Sequence, residues 1–545
     1  MRIENEKILL ISIDNPSAKV DIFIGFRKII VTFSVILRIY NYQFSIHPLE
    51  VQDLLKQYAA HPQVAALNTL LKNKTSRNIF LKGLNGSGAA MTIASLFSKR
   101  RGSYVCVLND LEDAGYFYHD LVQLTGGDGI YFFPSAYRRA IKYGHVDPAN
   151  EILRTEVLST LQDPTAPFII VTYPEALAEK VISREVLKEN TLKISVGERL
   201  DNMFVSDVLD EYGFEQVDYV YEPGQYAMRG SILDVFSFSY EFPYRIDFFG
   251  NEVETIRSFD VETQLSKEKL DSIYIVPEMT KGNRTNSSLL DSLPSETLLA
   301  SKDMAWVKER IGSIWNEEPI IGDEESFANI EQLRAKLITG EDFLHAALGF
   351  CRLHFGTRPM GVADATLTFS MEAQPIYHKN FDLVSESFHK YLEDGYTLYI
   401  LSDVEKQATR IRAIFEDRGD DIPFTSVNKT IHEGFADETL RVCLFTDHQL
   451  FDRFHKFNLK SDKARSGKLS LSLKELNQFT TGDYIVHIDH GVGQFGGLVR
   501  TEVNGKMQEA IRLIYQNNDI IFVSIHSLHK LSKYKGKDSG EPPKL

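Results

Sequence analysis

The sequence predicts a multidomain α/β protein. It comprises a parallel-sheet domain around a degenerate P-loop, an inserted α+β domain, a second α/β domain and a small antiparallel β-barrel. Three observations carry this. Short apolar strands alternate with helical stretches over 47–190 and again over 376–451, the rhythm of parallel sheets covered on both faces. A glycine-rich loop, FLKGLNGSGAAMTIASLF (80–97), joins one of those strands to a helix. Near the C-terminus several short strands with turn residues between them follow one another within about 60 residues, as in a small barrel.

Residues 1–46 are an atypical N-terminal extension. Its apolar stretch IFIGFRKIIVTFSVILRIY (22–40) is broken by Arg27, Lys28 and Arg38, and the uncharged run from Ile29 to Leu37 falls far short of the ~20 residues that span a bilayer. It lies late for a signal peptide and no small-residue cleavage site follows it. The extension is expected to stand outside the fold, with an added strand or helix as the alternative.

Residues 47–190 are the first part of the parallel-sheet domain. VQDLLKQYAAHPQVAALNTLLKN (51–73) has helical spacing of Leu and Ala, NIFLKG is a strand, and the glycine loop opens a helix. SYVCVLND is a buried strand with an acidic end, DAGYFYHDLVQLTG a helix, GIYFFP a strand, NEILRTEVLSTLQ a helix, and PFIIVTYPEAL a strand running into another helix. Residues 191–277 change character: strand-rich runs joined by Gly and Asn-Glu turns predict an inserted α+β domain with an antiparallel sheet. Residues 278–375 mix helix and strand and are assigned to the second part of the parallel-sheet domain.

In 376–451, FDLVSESFHKYLEDG is an amphipathic helix with Phe381, Val384, Phe388 and Leu392 at spacings of three and four, and Gly395 follows as a C-cap candidate. YTLYIL and LRVCLFT are strands around the helix DVEKQATRIRAIFEDRG, but no role for this domain is legible. Residues 452–478 are a basic linker whose first part, 452–468, holds six Lys or Arg against two Asp. It reads as a solvated tether, with a strap on nucleic acid or an acidic partner as the sharper alternative. Within the barrel (479–538), Asn504-Gly505 is a strong hairpin signal and Asn517-Asn518-Asp519 a further turn. Residues 539–545 read as the start of an exposed linker.

Composition narrows the function. With 43% hydrophobic and 25% charged residues the chain is an ordinary globular protein, not a fibrous or disordered one. Its 545 residues suffice for about three to five domains. The net charge of −15 argues against a primary DNA clamp, whose affinity comes from neutralising phosphates, and favours protein partners. The three cysteines, Cys106, Cys351 and Cys443, have neither metal-ligand spacing nor an even count, which suits a reducing cytoplasm.

No catalytic constellation is expected. In a P-loop, Gly and four residues precede Gly-Lys-Ser/Thr; the Lys neutralises phosphate and the hydroxyl helps hold Mg²⁺. Here Gly83 and Gly88 have that spacing, with Gly86 between them, but Ala89 and Ala90 follow. The best strand for a metal-holding acid, Phe168–Val171, ends in Thr172-Tyr173-Pro174. ATP binding at this loop should therefore be weak and hydrolysis absent, the glycines then serving as a tight strand-to-helix turn. His487 and His490 flank Asp489, yet residues three apart in an extended strand face opposite sides of a sheet, so no metal site is expected. Asp210-Glu211 and Asp323-Glu324 read as solvated acidic surface.

Two stretches carry a family resemblance. EPGQYAMRGSILDVFSFSYEFPYRIDFFGNEVETIRSFDVETQ (222–264) resembles the region shared by the excision-repair protein UvrB and the bacterial transcription-repair coupling factors (Mfd). GDYIVHIDHGVGQFGGL (482–498), with IIFVSIHSL after it, resembles the RNA-polymerase-interacting module of those coupling factors and of CarD-type regulators, a Tudor-like barrel. In this order the two point to the coupling-factor family, over roughly 50–545. The resemblance implies a UvrB-like domain that has lost its ATPase and a UvrA-binding domain at 191–277. It also implies a module that binds the RNA polymerase β subunit, in a cytoplasmic, monomeric repair protein. The family's ATP- and Mg²⁺-dependent DNA translocase, which makes most of the DNA contact, would lie beyond this chain, which needs no cofactor itself.

Carried over by motif, the UvrA-contacting residues are Arg229, Arg245 and Phe249, a charged fork beside an aromatic anchor. The alternatives are an ion pair between Arg229 and Asp234, and a core role for Phe249, since Phe248 and Phe249 point to opposite faces. For polymerase the candidates are Leu498, Val499 and Arg500 on the strand Phe495–Thr501, which could extend a partner's sheet; whichever of Leu498 and Val499 points inward would instead be core. Tyr137-Arg138-Arg139 is a minor candidate for DNA or UvrA contact. Asp110-Leu111-Glu112-Asp113 runs straight into a helix, leaving no room for the UvrB lesion-probing hairpin. Alternative readings are a UvrB-like nucleotide-dependent enzyme and a free-standing CarD-type regulator.

Overall fold

The computed structural model describes residues 49–136, 148–163, 165–261, 263–278, 285–316, 334–453, 455, 457, 459, 479–487, 490–503, 506–516, 519–524 and 531–534. The apolar stretch 22–40, Tyr137-Arg138-Arg139, Asp489, Asp323-Glu324, most of the basic linker and the C-terminal tail lie outside the described residues.

Seven parallel strands form the first sheet. Their spatial order is Ala365–Thr368, Asn78–Lys82, Cys351–His354, Leu298–Ser301, Ser103–Val107, Phe168–Thr172 and Ile130–Phe132. The central strands bury every or nearly every residue, as a sheet covered on both faces requires. Sequence-distant strands, 78–172 and 298–368, thus build one sheet around the segment between them. The stretch 51–73 divides into two helices, Val51–Ala59 and Pro62–Asn73. Pro62 cannot continue a helix but suits its first turn, and the His61 ring accepts the Gln63 amide as the cap.

The inserted segment carries a six-stranded sheet, Glu215–Gln216 to Ser266–Leu270, antiparallel except for its first pairing. One face packs Tyr226, Leu233, Val235, Ile246 and Phe248 against the helix Asn202–Glu211. A third, five-stranded mixed sheet (strands from Met371–Ala373 to Val442–Thr446) has the helix Phe381–Glu393 on it, with Val384 and Phe388 buried and Gly395 at φ 82° just past its C-cap.

The C-terminal strands order as Ile520–Ser524, Lys506–Ile514, Gly491–Val503, Tyr484–His487 and Leu531–Lys533, all antiparallel. Val503 lies opposite Lys506 across the two residues Asn504-Gly505. Among the described residues no helix is long and apolar enough to cross a membrane.

A histidine cluster joins the first and third sheets' domains. Tyr116 stacks on His432 at 3.6 Å, His448 on His455 at 4.4 Å, and His119 meets His455 edge-on at 4.9 Å. Burial pushes His119, His432 and His448 down to about 4, and it lowers His455 too. Lys429 and Arg453 oppose their protonation, while Asp113, Asp403 and Asp447 favour it. Because these imidazoles stay neutral in the fold and charge when unfolded, their contribution is complete above the unfolded value of about 6.5 and is lost as pH falls toward 4. Asp120, pushed up to about 7 by burial, and Asp403, which burial also raises, work in the opposite direction. Four imidazoles outweigh these two carboxyls, so the thermal midpoint is expected to fall between pH 7 and 5. His119→Phe should flatten that slope; a midpoint constant over this range would contradict the reading.

Candidate functional site

The glycine loop follows the strand Asn78–Lys82 and opens the helix Gly88–Lys99, the place where a phosphate cradle would lie. It is occupied by protein. Phe369 donates its N–H to the Lys82 carbonyl, and the chain then crosses the loop. A Cβ at Gly83 would overlap the Phe369 carbonyl oxygen, one at Gly86 would lie 2.7 Å from the Gly434 carbonyl oxygen, and one at Gly88 2.5 Å from the Met371 sulfur. Ser87 donates its amide to the Glu433 carbonyl at 3.0 Å, and its hydroxyl oxygen accepts the Glu433 amide at 3.0 Å. The Asn85 side chain donates to the Met371 carbonyl at 2.6 Å, and buried Asp120 accepts the His432 amide at 2.7 Å.

The glycines therefore do more than turn a strand into a helix, the reading that sequence alone supports: they admit a second domain's backbone. Ala89 and Ala90 sit in the helix's first turn, Ala90 buried. Gly86, at φ 51°, has both a left-handed conformation and a close neighbour. Gly86→Ala is thus expected to cost about 1–3 kcal/mol in urea unfolding and to loosen the third sheet's domain.

In the inserted sheet, alternation puts Arg229, Asp234, Arg245, Asp247 and Phe249 on the face opposite the core. Both arginines converge on Asp234, whose side chain is 1% exposed. Arg245 grips it with two bonds of 2.7 and 2.8 Å, lies over the Phe259 ring at 4.3 Å and is 16% exposed. That carboxylate raises the Arg245 pKa further. Arg229 bonds Asp234 and the Asp218 carbonyl (2.9 Å) and covers Tyr219, with 35% of its side chain exposed. The ion pair weighed for Arg229 is present, and Arg245 is the more deeply committed to it. Phe248 is buried and Phe249 is 79% exposed at the hairpin before Gly250, which assigns the outward position that sequence left open. Leu200 donates to the Asn251 carbonyl at 2.8 Å, so the helix carrying exposed Met203 (72%) and Phe204 (53%) begins next to this hairpin. No periodicity marked that pair, because their exposure depends on where the helix docks.

In the C-terminal sheet, Leu498 lies opposite Ile511 and Val499 opposite Ala510. Leu498 is 46% exposed and Val499 half-buried, so neither is core. Arg500 pairs with Glu509, and its side chain lies outside the described residues. A bulge at Gly496-Gly497 separates this segment from buried Phe495, and Arg512 donates twice to the Gly496 carbonyl (3.0 and 2.7 Å). The neighbouring strand pairs only as far as Gln494, so among the described residues no strand covers that side of Leu498–Val503. The sheet's other edge exposes Ile520 and Phe522, about half each (49% and 51%). His487 and His490 do not face opposite sides as predicted; the chain reverses after His487 and their rings lie 4.6 Å apart. Among the described residues no group of three or more His, Cys, Asp or Glu is placed to hold a metal.

Comparison with known proteins matches the two segments that carry these surfaces to two family models. The family model described as the UvrB interaction domain matches residues 192–280, and that of the CarD-like/TRCF RID domain matches 479–535. The chain is similar to the transcription-repair-coupling factor of Bacillus subtilis (strain 168), at 22% identity over 547 residues, covering 85% of this chain and 45% of that protein. The same-named protein of Staphylococcus aureus (strain bovine RF122 / ET3-1) is 22% identical, with 85% and 46% covered. The chain thus spans about half the length of the curated relatives it matches.

Proposed function

We propose that this chain, a homologue of the transcription-repair-coupling factors, is a recruiting scaffold in transcription-coupled nucleotide excision repair. The observation that carries it is the presence, in this order on one chain, of a UvrB-type interaction domain and a CarD-like module. The open edge at Leu498–Val503 takes the RNA polymerase β subunit by adding to one of its strands, and exposed side chains supply specificity. The face with Phe249 and Arg229 takes UvrA, the aromatic ring as anchor and the guanidinium as charged rim.

The scaffold itself does not hydrolyse ATP. The Ala89-Ala90 pair supplies no cation or hydroxyl, and the loop amide of Ser87 is spent on Glu433. ATP, Mg²⁺ and most DNA contact belong to a translocase in the part of the family not matched here. The protein works as a cytoplasmic monomer. Paired pull-downs test this: the purified chain should retain both UvrA and the polymerase β subunit. Retention of polymerase alone would make it a transcription regulator, and measurable ATP hydrolysis would make it a UvrB-like enzyme.

A further inference from the structure

The opposite end of the seven-stranded sheet holds a cavity of about 920 Å³, at the N-terminal ends of the strands that begin at Asn78, Ser103, Phe168, Leu298 and Cys351. This volume lies within the usual range for small-molecule sites, about 300–1,000 Å³. Its charge is opposite to that of the molecule. Four cations line it, Lys74, Arg77, Arg100 and Arg101, against one acid, Glu296, in a chain of net −15.

The acids nearby do little to neutralise them. Glu296 bonds Lys74 at 2.9 Å, but both side chains are more than two-thirds exposed, where such a pair contributes little. Arg101 reaches Asp128 only at 3.7 Å, and Asp128 is 90% exposed. The Arg77 guanidinium meets a neutral group, the Gly349 carbonyl. Arg100 makes no direct ion pair among the described residues and meets Glu296 only through longer-range attraction.

Helix dipoles explain part of this, since Lys74 and Arg100 cap the C-termini of the helices Pro62–Asn73 and Gly88–Lys99. They do not explain Arg77, which enters a strand, or the convergence of all four on one concavity. Leu71, Pro167 and Pro294 add apolar wall between the cations.

We propose that this cavity binds a polyphosphate anion of nucleotide size. Arg77, Arg100 and Arg101 hold the phosphate oxygens, and the apolar wall is free to take a base. Guanidinium forks suit this because each can meet two oxygens of one phosphate. The site is distinct from the glycine loop, which lies at the other end of the same sheet and is closed by Glu433 and Phe369.

Calorimetric titration of the full chain with ADP, ATP and inorganic triphosphate, without Mg²⁺, tests it. Saturable one-to-one binding that weakens with salt is expected. Arg100→Glu and Arg101→Glu should each lower affinity by about tenfold or more, while Ser87→Ala in the glycine loop leaves it unchanged. Equal binding of triphosphate and ATP would identify the phosphate chain as the ligand, and preference for the nucleotide would add the base. The Arg101 side chain is half exposed (51%), so its variant keeps the fold and decides the matter if Arg100→Glu unfolds. Absence of saturable binding, binding indifferent to Arg101→Glu, or binding of a single-stranded oligonucleotide but of none of the small anions would overturn the proposal.

Discussion

Asp234→Ala is expected to destabilise the inserted domain by about 3–5 kcal/mol, because it leaves the Arg229 and Arg245 guanidinium groups without their buried partner. Phe249→Ala should leave the thermal midpoint unchanged, since the ring is 79% exposed, and yet weaken UvrA binding by about thirtyfold or more, the loss typical of an aromatic anchor. The pair separates support from contact. Arg229→Glu would confound them, because it sets a second carboxylate against Asp234 as well as changing the outer surface. Thermal unfolding and a UvrA titration on the same preparations check the prediction. If Asp234→Ala changed stability by less than about 1 kcal/mol, the two arginines would not be structurally committed, and both could be counted as contacts.

Leu498→Arg is expected to reduce binding to the polymerase β subunit by about thirtyfold or more while UvrA binding and the thermal midpoint stay as they are. The half-exposed side chain lies beyond the Gly496-Gly497 bulge, on a segment with one uncovered edge, so an arginine there meets water in the free protein and desolvation in the complex. Phe495→Ala provides the contrast: that ring is 5% exposed in the sheet's core, and its loss should cost about 3–5 kcal/mol and abolish binding by unfolding the module. Surface plasmon resonance against the isolated β subunit reads both. Full binding by Leu498→Arg would move the docking surface to the other edge, where Ile520 and Phe522 are exposed.

Much of this architecture was legible from residues alone. Short apolar runs such as Phe168–Val171, bounded by Pro167 and Pro174 and rich in β-branched residues, mark strands buried on both faces; their length and flanking prolines separate them from a buried helix such as Gly88–Lys99, which also hides a continuous run, Ala90 to Phe97. Alternation in Tyr244–Phe249 marks a one-sided strand, and Ala89-Ala90 in place of Lys and Ser/Thr marks a departure from the P-loop pattern. These signals are local: each depends on a residue and its near neighbours.

What tertiary structure alone decided is which groups meet across long stretches of chain. The strand Asn78–Lys82 lies between Cys351–His354 and Ala365–Thr368, so the sheet is completed from nearly 300 residues away. Gly83 and Gly86 look like a cradle in the sequence and prove to be seats for Phe369 and Gly434. Phe248 and Phe249 are equivalent as letters, and the docking of the helix Asn202–Glu211 on one face buries the first and leaves the second in water. His487 and His490 meet because the chain reverses between them. The sequence by itself determined the element types, the departure of the glycine loop from the P-loop pattern and the kinship, since these are written in short-range pattern. Burial, partner choice and the sign of each surface required the fold, because they depend on contacts between residues that no local pattern connects.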